Sequence, residues 1–116
     1  AVMSDVKQVT LELSRIPGVR GAMVVDAQAG VPVTAELANG VPGPAIAAFA
    51  SALFRRSGQA IRSAGYGALG AVQLEAEAGD VVVTGNDMLL VVVVAEPDAQ
   101  IGLIRMQAQN VAEELA

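Results

Sequence analysis

The chain has 116 residues, of which 53% are hydrophobic and 16% are charged, and its formal net charge is −5. This length is typical of one domain, so we expect residues 1–116 to form a single unit with one core. The acidic balance argues against a nucleic-acid partner, because phosphate neutralisation needs clustered lysine and arginine, and the absence of cysteine and histidine removes thiolate chemistry and the most common general base and metal ligand.

The first predicted elements are a helix and a β-hairpin. Apolar residues at spacings of three and four predict a helix over Ser4–Ile16. Two strands are predicted over Arg20–Asp26 and Val31–Leu37, joined by a turn over Ala27–Gly30. Because Pro32 cannot donate a ladder hydrogen bond, the second strand is expected at an edge of its sheet.

A long second helix is predicted over Ala45–Ser63, after a loop rich in glycine and proline. Helical periodicity predicts that its large apolar side chains face the core. This predicted core face consists of Ile46, Phe49, Ala50, Leu53 and Ile61. The other face is small and nearly uncharged at first, then polar and basic. It consists of Ala48, Ser51, Ala52, Arg55, Gln59 and Arg62.

Three strands and a helix complete the chain. Alternating apolar and polar residues predict a strand with one solvated face over Leu69–Glu77. A further strand is predicted over Val81–Thr84, and the uninterrupted apolar run Met88–Ala95 predicts a central strand that is covered on both faces. The last helix is predicted over Ala99–Leu115, with Asp98 as its N-cap.

The predicted order of elements is αββαβββα. Hairpins and helices can make every connection, so the sheet is expected to be largely antiparallel. The sequence therefore predicts an α/β (α+β) sandwich, in which a five-stranded sheet has helices on both faces.

Two glycine patterns are interpreted as structural. Gly65–Gly70 matches GxGxxG in spelling, but a dinucleotide site needs a strand before the glycines and a helix after them. Here the predicted order is reversed, so we interpret the segment as a connection with Gly65 as the helix C-cap. Gly102 lies inside the last predicted helix, where it costs about 1 kcal/mol relative to alanine, and we expect it to pack closely against the sheet.

The acidic residues do not form a recognisable catalytic or metal-binding set. Asp26, Asp80 and Asp87 lie at or beside different predicted turns and lack an EF-hand spacing. Glu75 and Glu77 lie on the solvated face of one predicted strand. We therefore predict no enzyme activity, no metal and no cofactor.

The outward face of the second helix is the most informative surface. Ala48, Ser51 and Ala52 are too small to fill a core and too apolar for a solvated face. We interpret them as a helix-to-helix contact across a homodimer, rimmed by residues suited to an acidic partner protein. The candidate partner-binding residues are Arg55, Arg56, Gln59 and Arg62. The alternative of an ordinary exposed face in an alanine-rich protein stays open.

Several segments spread over nearly the whole chain carry a family resemblance. They are Ile16–Asp26, Gly30–Val33, the alanine-rich second helix, Met88–Ala95, and Ile101–Gly102 with Arg105. With the predicted element order, they resemble the Roadblock family of dynein light-chain-related proteins, in particular the bacterial MglB-type regulators of small Ras-like GTPases. The turn Asp26–Gly30 departs from the family's Asp-x-x-Gly pattern by one extra residue.

The resemblance implies a Roadblock/profilin-like sandwich with strand order 2-1-5-4-3. It also implies a homodimer in which the third strands pair across the two-fold axis and the second helices pack side by side. Val72 and Leu74 of the third strand therefore join the predicted dimer interface. The implied function is a regulator or adaptor that binds a small Ras-like GTPase and stimulates its GTP hydrolysis, without an active site of its own.

Two other functions are considered. A small-ligand sensor would need a cavity behind the second helix, lined by Phe49, Leu53 and Val72, and an inert scaffold subunit would need none. The longest apolar run, Met88–Ala95, is much shorter than the ~20 residues of a membrane-spanning helix. Membrane insertion is therefore not expected, and the lack of cysteine fits a cytoplasmic location.

Overall fold

The computed structural model describes residues 3–116 as three helices on a five-stranded antiparallel sheet. The predicted order αββαβββα and the predicted fold class are confirmed. The helices are α1 (Met3–Ser14), α2 (Gly43–Ser63) and α3 (Ile101–Leu115). The strands are β1 (Val19–Asp26), β2 (Val31–Leu37), β3 (Ala71–Ala76), β4 (Gly79–Gly85) and β5 (Leu89–Ala95).

The strands lie in the order β2-β1-β5-β4-β3. The apolar strand β5 is the middle strand and is almost entirely buried, as predicted from its lack of polar positions. β2, which contains Pro32, is one edge of the sheet, and this prediction is also confirmed. β3 is the other edge, so the backbone groups on its outer side have no strand partner within the described chain.

The alternation of side chains along the strands creates two cores. On one face, Val82 and Val93 pack with buried residues of α1 and α3. On the other face, their sequence neighbours Val83 and Val92 pack against α2. The second face therefore has a single helix to cover five strands.

The turn between β1 and β2 is held by Asp26. Its Oδ1 accepts hydrogen bonds from the N–H groups of Gln28 at 3.0 Å and Ala29 at 2.9 Å. The N–H of Gly30 donates to the Asp26 carbonyl at 2.8 Å, and Gly30 has φ +67°. The extra residue in this turn is thus accommodated by a local hydrogen-bond network that needs glycine at its end.

The connection after α2 is the helix-to-strand link predicted from the sequence. Gly65 follows the helix with φ +85°. Its N–H donates to the Arg62 carbonyl at 3.0 Å, and the N–H of Tyr66 donates to the Ile61 carbonyl at 3.1 Å. This pair of bonds is a Schellman motif, which requires a left-handed residue and so favours glycine.

The start of α3 differs from the prediction. The helix begins at Ile101, and Gln100 rather than Asp98 is its N-cap residue. The N–H of Ala99 donates to the Glu96 carbonyl at 3.0 Å, which closes a separate turn before the helix. Asp98 belongs to that turn, so the predicted cap at Asp98 is wrong.

The predicted close packing of Gly102 is also wrong, because Gly102 is exposed and a Cβ added to it would meet no atom within 4 Å. We expect Gly102→Ala to raise the free energy of unfolding by up to about 1 kcal/mol, since alanine has the higher helix propensity. Urea denaturation of the two proteins measures this difference. A lower midpoint for the variant would contradict the open surroundings of this residue.

Candidate functional site

α2 lies close to the sheet because the residues facing it are small. Its buried residues are Gly43, Ala47, Ala50, Ser51 and Gly58. At the start of the helix, a Cβ added to Gly43 would lie only 2.6 Å from Leu37 Cδ1. Small residues at the contact allow this close approach and leave the larger side chains of the helix at its flanks.

The predicted core face of α2 is therefore only partly correct. Ala50 is fully buried, as predicted, but Phe49 is 51% exposed. Leu53 is half-buried at the same flank of the helix. Ile46, also predicted in the core, is half-buried and packs against the core beneath α2 together with Phe54. The fully buried contact with the sheet is made by the smaller residues of the helix.

β3 contributes apolar side chains to the same side of the sheet as α2. Val72 is paired with Val83, and Leu74 is paired with Val81, and both partners belong to the core beneath α2. Val72 and Leu74 are half-buried, whereas the intervening Gln73 is exposed. Phe49 and Leu53 of α2, and Val72 and Leu74 of β3, are thus incompletely covered apolar side chains on the side of the sheet that α2 covers, and we call these four residues the α2–β3 surface.

The placement of Ser51 corrects one predicted interface residue. Ser51 is 4% exposed and its Oγ donates to the Ala27 carbonyl at 2.6 Å. It ties α2 to the β1–β2 turn, so its assignment to an outward dimer face is wrong. Ala52 is half-buried and stays in the predicted interface with Val72 and Leu74. Ala48 is exposed, but it lies on the side of α2 that faces the β1–β2 turn, since a Cβ added to Gly30 would lie 3.5 Å from Ala48 Cα.

The four predicted partner-binding residues are all exposed on the C-terminal half of α2. The structure divides them between two places. Arg55 and Arg62 line a cleft beside the helix, whereas Arg56 and Gln59 do not. Arg55 and Arg62 share one flank, because residues seven apart return to nearly the same side of a helix. Leu53, two positions before Arg55, lies about 200° around the helix axis and is therefore on the opposite flank.

The cleft has a volume of about 500 Å³. One wall is the arginine-bearing flank of α2, and the other is formed by the β1–β2 and β4–β5 turns. Its full lining is Ala27, Gln28, Ser51, Phe54, Arg55, Gly58, Arg62, Ala68, Leu69, Gly85, Asn86, Asp87 and Leu90. In the β4–β5 turn, Asn86 Oδ1 accepts from the N–H groups of Met88 at 2.8 Å and Leu89 at 3.0 Å, which fixes this wall.

This cleft is not the cavity that the sensor hypothesis predicts. That cavity would lie behind α2 and be lined by Phe49, Leu53 and Val72, but none of these residues lines the cleft. The cleft is not evident from the sequence, because the walls of the cleft come from four separate segments. Asn86 and Asp87 carried only a turn signal, and Gly58 between two arginines was the one local sign of a helix with open space beside it.

Within residues 3–116, no group of three or more acidic side chains converges in a way that could hold a metal ion. Asp26 is instead occupied by the backbone of its own turn. No helix in this part of the chain is long and apolar enough to cross a membrane.

Comparisons with known proteins agree with this architecture. The family model described as Roadblock/LC7 domain matches residues 5–95. The chain is 28% identical over 110 residues to the uncharacterized protein MJ1340 of Methanocaldococcus jannaschii, with 95% of this chain and 96% of that protein covered.

Two solved structures share the fold. A Roadblock/LC7 domain from Streptomyces avermitilis superimposes with a TM-score of 0.81 at 18% identity and covers 94% of this chain and 92% of its own. Myxococcus xanthus MglB superimposes with a TM-score of 0.85 at 15% identity and covers 97% of this chain and 86% of its own. The similarity includes the sheet and all three helices, because nearly the whole of both chains is aligned.

Proposed function

Because this chain belongs to the Roadblock/LC7 domain family, we propose that it is a cytoplasmic homodimeric regulator or adaptor that binds a small Ras-like GTPase and stimulates its GTP hydrolysis. Members of this family are generally regulatory or adaptor proteins rather than enzymes. The observation that carries the proposal is the α2–β3 surface, in which Phe49 is 51% exposed and β3 is an open edge of the sheet.

The α2–β3 surface supports self-association in two ways. Its apolar side chains gain about 25 cal/mol for each Å² that they remove from water. In addition, the outer edge of β3 can form an antiparallel ladder with the same strand of a second copy, and this pairing is compatible with a two-fold axis. An isologous contact of this kind also brings the two α2 helices to the same side of a continuous sheet.

The basic residues of α2 support a protein partner. Arg55, Arg56 and Arg62 are exposed within one short helical segment, although the chain as a whole has a net charge of −5. Such a local concentration of positive charge favours an acidic surface and increases the association rate with it. In the proposed complex, these residues bind the GTPase and position its own catalytic groups.

The experiment that tests the function uses the purified chain and a small Ras-like GTPase encoded beside it. Light scattering measures the mass of the isolated chain, and single-turnover GTP hydrolysis is measured with and without it. A dimeric chain that binds the GTPase and accelerates its hydrolysis supports the full proposal. A dimeric chain that binds the GTPase without accelerating hydrolysis supports an adaptor. A monomeric chain that neither binds nor accelerates such a GTPase contradicts the proposal.

We expect Arg56→Ala to weaken binding of the GTPase about tenfold, which corresponds to the loss of about 1.4 kcal/mol. Arg56 is exposed and lies outside the cleft, so the substitution removes a surface charge without opening the core. Titration of the GTPase by calorimetry measures the change. Lys7→Ala is the matched control, because Lys7 is exposed on α1, which covers the opposite face of the sheet.

The same variant distinguishes binding from direct catalysis. At a saturating concentration of Arg56→Ala, the rate of hydrolysis should stay within about tenfold of the wild-type rate. An arginine supplied in trans to the transition state contributes about 10³–10⁵ in rate. A loss of that size at saturation would contradict a pure binding role for Arg56.

A further inference from the structure

We propose that the cleft beside α2 is a binding site for a small organic anion, with an apolar body and one carboxylate, phosphate or sulfonate group. This site shares Arg55 and Arg62 with the proposed GTPase-binding surface, but its test uses the chain alone and does not depend on the GTPase interaction. The inference follows from the size of the cleft, the chemistry of its floor and the position of two arginines on one wall.

The size of the cleft suits a small molecule. Its volume of about 500 Å³ lies inside the ~300–1,000 Å³ range that is typical of ligand sites. The cleft also reaches into the fold, because Leu90 on its floor is 1% exposed and Ser51 is 4% exposed. The cleft is partly open to solvent, so a bound ligand would be covered on the side of α2 and the turns.

The floor is suited to an apolar group. Phe54, Leu69 and Leu90 all line the cleft, and Phe54 packs against the core beneath α2. Phe54 and Leu69 are half-buried, so contact with them would stabilise a bound apolar body through the hydrophobic effect, whereas Leu90 is 1% exposed and only closes the floor. The Ser51 hydroxyl does not make the floor more polar, because it already donates to the Ala27 carbonyl at 2.6 Å.

The arginine wall gives the site its charge preference. Arg55 and Arg62 both line the cleft from the same flank of α2. A guanidinium group presents planar, paired donors that match the oxygens of a carboxylate or a phosphate. Asp87 lies on the wall formed by the β4–β5 turn, so an anionic group is favoured at the arginine side and disfavoured at the other.

Gly58 locates the Arg62 guanidinium relative to the floor. A Cβ at this position would lie 3.4 Å from Arg62 Nη1 and 3.9 Å from Leu69 Cβ. The guanidinium group of Arg62 therefore lies near the helix backbone at Gly58, close to the apolar floor residue Leu69.

The charged and apolar requirements together define the ligand class. A free inorganic anion would leave the floor of Phe54, Leu69 and Leu90 uncovered, and a neutral hydrocarbon would leave the guanidinium groups of Arg55 and Arg62 without an anionic partner. An amphiphilic anion satisfies both parts of the cleft. An acidic protein segment is the other possible occupant, and it becomes an outcome of the test below.

The test uses the full chain alone, without any GTPase, and 8-anilinonaphthalene-1-sulfonate as the probe. This probe has an apolar body and one sulfonate, and exciting it directly at a wavelength that tryptophan does not absorb keeps the tryptophan variants comparable with the wild type. We expect saturable binding of about one probe molecule per chain. Dodecanoate should displace the probe, whereas dodecanol, which lacks the charge, and inorganic phosphate, which lacks the apolar body, should not.

Three variants locate the binding site. The double variant Arg55→Ala/Arg62→Ala removes the charge of the wall, and Ala68→Trp fills the cleft from an exposed loop residue; each should weaken probe binding at least about tenfold. Arg56→Ala is the matched control, because Arg56 is equally basic and exposed but does not line the cleft. It should bind the probe within twofold of the wild type.

Several outcomes would overturn the proposal. Unchanged affinity in both the double arginine variant and Ala68→Trp would place the probe elsewhere, for example on the α2–β3 surface. Displacement by an acidic peptide with no displacement by dodecanoate would assign the cleft to a protein segment instead. Circular dichroism and thermal melting verify that each variant is folded, and Gln28→Trp, at another exposed lining residue, replaces Ala68→Trp if that variant fails to fold.

Discussion

Phe49→Asp is expected to dissociate the proposed homodimer and to raise its dissociation constant at least about 100-fold. Phe49 is 51% exposed in the isolated chain, so the substitution costs little in folding, but a carboxylate at a dry interface loses its hydration. Truncating a central aromatic residue commonly costs about 2 kcal/mol or more. A two-fold interface contains each residue twice, so a weakening of about tenfold per copy raises the dissociation constant of the dimer about 100-fold.

Light scattering over a range of concentrations measures this change. Met106→Asp is a matched control, since Met106 is 52% exposed on α3, the helix on the opposite face of the sheet. We expect Met106→Asp to remain dimeric and both variants to melt close to the wild-type temperature. A dimeric Phe49→Asp together with a monomeric Met106→Asp would place the interface on the α1 and α3 face.

The proposed dimer contact and the proposed anion site lie on different flanks of α2. Phe49 and Leu53 belong to the α2–β3 surface, whereas Arg55 and Arg62 line the cleft. Between them, the buried small residues hold the helix against the sheet. A substitution on one flank should therefore leave the other interaction unchanged, and Phe49→Asp should bind the anionic probe in the cleft as the wild type does.

The local signals of the fold could be read from the sequence. The strand Val31–Leu37 has its predicted bounds, because the turn before it and the alternation within it are local properties. The central position of the apolar strand Leu89–Ala95 was also predictable, since a strand without polar side chains must be covered on both faces. These features depend on neighbours in the chain rather than on distant contacts.

The orientation of α2 could not be read in the same way. Both the stripe that contains Phe49 and Leu53 and the stripe that contains Ala47 and Ala50 have helical spacing. Periodicity favours the larger side chains, but the distance between helix and sheet decides which stripe fits, and the close approach at Gly43 selects the small one. This selection leaves Phe49 at the surface. The face of α2 that contacts the sheet is therefore rotated about the helix axis relative to the predicted face.

The cleft could not be predicted from the sequence for a different reason. Its walls come from the β1–β2 turn, α2, the loop after α2 and the β4–β5 turn, which are far apart in sequence. Each segment gives a turn or helix signal by itself, and only the sheet order brings them together. Gly85, at the end of β4, is one of the residues that line the cleft.

Gly85→Ala is expected to lower the free energy of unfolding by about 3 kcal/mol or more, because steric overlap and backbone strain each commonly cost about 1–3 kcal/mol. A Cβ at Gly85 would overlap the Leu89 carbonyl oxygen and lie 2.9 Å from Leu90 Cα. Both atoms belong to the backbone of β5, which the sheet holds in place. In addition, Gly85 has φ +144°, which residues with a side chain rarely adopt.

Chemical denaturation of the wild type, Gly85→Ala and Gly67→Ala separates these two causes. Gly67 has φ +82°, and a Cβ there would meet no atom within 4 Å. Gly67→Ala therefore reports the cost of a positive φ without steric overlap, about 1–2 kcal/mol, and the further loss in Gly85→Ala reports the overlap with β5 together with the larger φ of Gly85. Equal losses in the two variants would show that the β4–β5 turn can move away from β5, and the fixed cleft wall derived from that turn would then be wrong.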